Sequence, residues 1–154
     1  MMHNERQLYD KKHRWSGLMF GFGLAGFIDE MVFHQFLQWH HFYDQMTREV
    51  GLFSDGVLNA MCGFFIIFGL FLLADARRKF STNWIFWIGR VLMGMGTFQV
   101  YDGIINHKIL RMHQIRYVDN VITYDIVWIV TGSLMIIVGY LMSRKREMIK
   151  HDNS

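Results

Sequence analysis

A pattern of glycine, aspartate and histidine occurs twice in this chain, 73 positions apart, and any fold must accommodate that repetition. Gly21, Gly23, Asp29, His34, Leu37 and His40 recur without a gap as Gly94, Gly96, Asp102, His107, Leu110 and His113. A second register, 70 positions apart, links Asp55, Gly69 and Arg77 with Asp125, Gly139 and Glu147, the last pair matching only as charged positions. The repeated unit therefore reads as a pair of helices, over about 16–79 and again over about 85–147. Each copy carries two histidines and two aspartates within apolar sequence, which points to a polar site where the copies meet.

The solvent of those helices follows from composition. With 52% apolar residues, 16% aromatic residues and no proline, the chain falls among membrane proteins. A bilayer crossing needs about 20 residues of helix. Four stretches qualify in a single membrane domain covering 1–154: 16–39, 55–74, 85–112 (apolar to Asn106) and 123–142. The expected fold is all-α, a four-helix transmembrane bundle with helices one and three at its centre. The first apolar stretch is too long for an export signal and lacks a small-residue cleavage pattern, so the first helix is expected to be retained. The first 14 residues read as loose or as an interfacial helix, and the last ten as a solvated tail. Trp15, Trp39, Trp84 and Trp87 fall near span ends, as interfacial indoles do.

Charge sets the orientation. Arg6, Lys11, Lys12 and Arg14 precede helix one, Arg77, Arg78, Lys79 and Arg90 lie around the central loop, and Arg144, Lys145, Arg146 and Lys150 follow helix four. Arg48, Lys108, Arg111 and Arg116 remain for the opposite side. By the positive-inside rule both termini are cytoplasmic and the two longer loops face outward. The pI near 9.1 thus reflects topology, and nucleic acid is not an expected partner. Because each copy crosses twice, both enter in the same direction, and the repeat is parallel, about an axis along the membrane normal. Gly17, Gly21 and Ala25 form a small-residue strip on helix one, whereas the second copy has Arg90, Gly94 and Phe98.

An ionisable group at membrane depth is expensive and is a functional candidate by default. At about 1.5 Å per residue, Asp29 lies about 18 Å from the edge at Gly17 and His34 about 25 Å. On a straight α-helix Asp29 and His40 share a face, as do Asp102 and His113, while Asp29 and His34 diverge by about 140°. Gln38 lies between His34 and His41 on another face. Glu30 has Gly103 as its counterpart and carries less weight than Asp29. Asp55 and Asp125 are expected to begin helices two and four, either as N-caps or facing the histidines, with Asn59 one turn further on.

His34, His40, His41, His107 and His113 then converge on the outer half of the bundle, with Asp55 and Asp125 nearby. Imidazoles with carboxylates and no thiolate suit copper, iron or zinc, without distinguishing among them. Cys62, the one cysteine, and the twelve scattered methionines read as packing residues. Three functions stay open. One is a metalloprotein, either a carrier or a mono- or dinuclear oxidative centre; whether it is an enzyme is not decided by sequence. A second is a b-type haem electron-transfer protein ligated by His34 and His107. The third is a small proton or cation transporter using Asp29 and Asp102, for which a homo-oligomer would be expected.

Specific strings sit on the same residues. They are Gly26 to Asp29, His34 to His41 with its tryptophan and paired histidines, Asp55 to Leu58, Tyr101 to Arg116, and Tyr124 to Trp128. These resemble the bacterial membrane proteins catalogued as domain of unknown function 2243, over about 16–142. The resemblance implies a four-span protein of the bacterial inner membrane, working near respiratory-oxidase or copper-handling proteins.

Overall fold

The computed structural model describes residues 2–78 and 81–152, with side chains for 4–78 and 81–144. Two rods share one construction: α1 (Met2–Asp29) continues as a π-helical segment, Glu30–Phe36, and α3 (Trp84–Tyr101) continues as Asp102–Ile109. Each is followed by a loop and a long α-helix, α2 (Arg48–Arg77) and α4 (Val121–Asp152). Among the described residues α1 packs on α2 and α3, and α3 also on α4, giving the row α2, α1, α3, α4 with α1 and α3 central.

Three helical stretches are long and apolar enough to cross a membrane: Asn4–Phe36, Arg48–Arg77 and Val121–Arg144. The third expected span, 85–112, falls short in apolarity, since its 18-residue α-helical part holds Arg90 and Gln99. Helical structure ends at Phe36 and Ile109, ahead of the expected limits Trp39 and Met112. The N-terminal segment is helical from Met2, and the expected tail continues α4 to Asp152. Lys79, and the side chains of Lys145, Arg146, Glu147, Lys150 and His151, lie outside the described residues.

Glycines let the central helices touch. A Cβ on Gly21 would stand 2.8 Å from the carbonyl carbon of Val91, and one on Gly94 would stand 2.8 Å from the backbone nitrogen of Phe22 and 3.0 Å from the carbonyl carbon of Leu18. The contacts are reciprocal, since Leu18 and Val91 are themselves 73 apart. Gly69 approaches Ser16 and Phe20 in the same way that Gly139 approaches Gly89 and Met93. By contrast, nothing lies within 4 Å of a Cβ on Gly56 or Gly63. Alanine at either site of α2 is expected to leave thermal stability in detergent unchanged or to raise it by up to about 1 kcal/mol, from helix propensity. A loss above that size would mean these faces are packed.

The π segments recur as closely. Leu37 donates its N–H to Val32 at 2.9 Å and Trp39 to Phe33 at 2.9 Å; Leu110 and Met112 do the same to Ile105 and Asn106 at 2.7 and 2.9 Å. The turn after each segment uses a left-handed residue, Gln38 (φ 49) or Arg111 (φ 52), again 73 apart.

Candidate metal centre

In a π-helix the backbone bonds run i to i+5, so residues five apart stand one above the other. That spacing separates Asp29 from His34, Glu30 from Gln35, and Asp102 from His107. His34 Nε2 lies 3.6 Å from Asp29 Oδ2, Gln35 donates to Glu30 at 2.8 Å, and His107 Nε2 lies 3.0 Å from Asp102 Oδ2. The divergence expected of a straight α-helix is therefore corrected: the wider turn re-phases each histidine onto its aspartate.

The loops bring the second histidine of each copy inward. His40 donates Nδ1–H to the Ile115 carbonyl at 3.0 Å, and His113 donates Nδ1–H to the Phe42 carbonyl at 2.8 Å. The two carbonyls are 73 apart, so the copies exchange equivalent bonds. A carbonyl only accepts, so in each neutral ring the proton is on Nδ1 and the lone pair on Nε2. Burial, reinforced by His113, His34 and His107, pushes His40 down to about 2; burial pulls His113 down to about 4 against the opposing charge of Asp102. Both are neutral imidazoles near neutral pH.

These rings form a row of His34, His40, His113 and His107, with neighbouring centroids 4.4, 4.5 and 4.6 Å apart. His113 Nε2 is 3.0 Å from His107 Nε2 and 3.7 Å from Asp102 Oδ1. Two ligand atoms each about 2.1 Å from one ion, at right angles, lie about 3 Å apart. Asp102, His107 and His113, all buried, thus present three ligand atoms at coordination spacing. Asn106 donates to Asp102 Oδ1 at 2.8 Å.

The outer aspartates hold the histidines from behind. Asp55 lies inside α2, seven residues past Arg48, and Asp125 lies four past Val121; neither begins its helix, and the N-cap alternative is corrected. Asp55 Oδ1 accepts from Phe42 N–H at 2.7 Å and lies 3.0 Å from His34 Nδ1, while its Oδ2 lies 2.6 Å from His41 Nδ1. Asp125 pairs with Lys108, and its Oδ1 is 3.8 Å from His107 Nδ1. His41 is half-buried and, among the described residues, is linked to the cluster by its hydrogen bond with Asp55. Asn59 keeps a buried, unpartnered Oδ1. Gln38, expected at membrane depth, is exposed in the turn after the π segment.

Sequence reasoning undervalued Glu30. It is 1% exposed, and its Oε2 lies 2.9 Å from His34 Nδ1. Its four-residue spacing to His34 was the available signal. His13 belongs elsewhere, buried near the termini between Tyr9 and Phe86, with ring centroids 5.3 and 5.4 Å away.

Over residues 16–146 the chain matches the family described as predicted membrane protein, DUF2243, and it belongs to that family. No curated protein and no solved structure matches it.

Proposed function

We propose that this DUF2243 member is an integral-membrane metalloprotein that holds a transition metal where its two parallel helix-pair units meet. His107 Nε2, His113 Nε2 and Asp102 are the core ligands, completed from the other copy by His40 and Asp29. The observation that carries this reading is the reciprocal anchoring of His40 and His113. Each Nδ1 is tied to a carbonyl of the opposite copy, leaving a lone pair aimed into the cluster. Metal-ligating histidines are held in this way through their second nitrogen.

Charge supports it. Asp29, Glu30, Asp55, Asp102 and Asp125 are 1–7% exposed, and among the described residues Lys108 is the one lysine or arginine paired with any of them. Buried carboxylates in that excess require cations or protons. Imidazole with carboxylate suits copper, iron or zinc. With the termini cytoplasmic, as the distribution of basic residues favours, the centre lies in the outer half of the bilayer. Oxidative chemistry, or metal delivery to respiratory-oxidase or copper-handling proteins of the bacterial inner membrane, would suit that position.

Two other readings fare less well. A haem between His34 and His107 would need the space filled by His40 and His113. A cation route from Asp29 and Asp102 toward the termini would have to pass the close glycine crossing at Gly21 and Gly94.

Elemental analysis of protein purified in mild detergent, with a visible spectrum of the same sample, tests the reading. At least one equivalent of copper, iron or zinc without a Soret band is expected. A Soret band would favour haem, and a folded, chelator-free sample without metal would reduce the histidines to helix fasteners.

A further inference from the structure

The two copies differ on one side of the cluster. Where α1 continues into Glu30, α3 continues into Gly103, and a Cβ there would stand 2.8 Å from Trp128 Cδ1. The indole therefore closes in the second copy the space that a carboxylate occupies in the first. Around Glu30 the donors are dense. His34 Nδ1 lies 2.9 Å from Glu30 Oε2 and 3.0 Å from Asp55 Oδ1, and these three residues are each 1% exposed. The two edges at His34 Nδ1 match the 3.0 Å edges at His107 Nε2, and the three ligand atoms lie within 4.8 Å of one another, a spacing that can hold one ion.

Glu30 Oε2 is buried and accepts no hydrogen bond, although Oε1 takes one from Gln35. A single Nδ1 proton cannot satisfy two carboxylates, and Asp55 Oδ1 is already met by the N–H of Phe42. The far side of the His34 ring also faces an acceptor, Asp29 Oδ2, at 3.6 Å. That arrangement, carboxylate behind one nitrogen and ligand oxygens before the other, is the usual setting of a metal-bound histidine.

We infer that the protein has a second, unsymmetrical metal site formed by Glu30, His34 Nδ1 and Asp55, present in the first copy only. Its occupant is a divalent ion that accepts two oxygens and one nitrogen, such as zinc, ferrous iron or manganese. His34 keeps its other proton on Nε2, toward Asp29. His41 steadies Asp55 from the loop side through Oδ2. The inference extends the metalloprotein reading and rests on it for the charge count. Of the five buried carboxylate charges, Lys108 offsets one and a divalent ion at the first site two, leaving two for the second ion.

Cobalt(II) titration of the apo-protein, followed by visible spectroscopy, reads both sites without any substitution. Two equivalents with two distinguishable ligand-field spectra are expected, the second more oxygen-rich. Glu30→Gln should bind one equivalent and keep the first spectrum, while His113→Ala should bind one equivalent and keep the second. One equivalent in wild type, or two in Glu30→Gln, would overturn the second site and leave the first standing. No equivalent in folded wild type would overturn the first reading as well.

Discussion

His113→Ala is expected to lose the nitrogen-rich ion, a fall of one equivalent per chain, with affinity reduced more than about 100-fold. The lower bound comes from metal sites at which merely losing a supporting group costs about 10–100-fold. His113 supplies a lone pair 3.0 Å from His107 Nε2, so its removal takes a ligand and not a support. The same substitution leaves the Phe42 carbonyl without its donor, at about 1–3 kcal/mol if it stays buried. Metal affinity and thermal stability should therefore fall together. His13→Ala, near the termini, should retain full metal content, whatever the loss of its stacking on Tyr9 and Phe86 does to stability. Equal metal content in wild type and His113→Ala would count against this set of ligands.

Valine at Gly21 or Gly94 should be as damaging by a different route. Either Cβ would meet backbone atoms of the opposite central helix at 2.8 Å, and backbone cannot turn aside as a side chain can. The helices must separate or the substitution must strain them, for about 3 kcal/mol or more, the upper end of overpacking effects. Separation also spreads the centre, because Asp29 and His40 are carried by α1 and its loop while Asp102 and His113 are carried by α3 and its own. Loss of metal along with a lowered unfolding temperature in detergent is the expected result for both variants. Full metal content at wild-type stability would mean that α1 and α3 do not cross so closely.

Much of this was legible in the residues. The apolar runs, the excess of basic residues at one end and the glycines marked a helical membrane protein, and the 73-residue register marked His34, His40, His107, His113, Asp29 and Asp102 as one set. Register compares residue with residue and needs no assumed geometry, which is why it located the cluster.

Statements that assumed a helical period were the ones that tertiary structure changed. The angle between Asp29 and His34 depends on whether the backbone bonds run i to i+4 or i to i+5, and sequence does not announce the switch. Asp55 looked like a helix start because hydropathy rises there, yet α2 begins at Arg48. The apolar pattern follows the lipid, not the first hydrogen bond. Glu30 lacked a counterpart in the repeat and so carried little weight, although its oxygen faces His34 Nδ1 at 2.9 Å. The tautomers of His40 and His113 are set by carbonyls 75 and 71 residues away in the chain. Sequence determined which groups are available and which of them match across the 73-residue register; only the crossing of α1 with α3, and the folding of two loops across it, decided which atoms face one another.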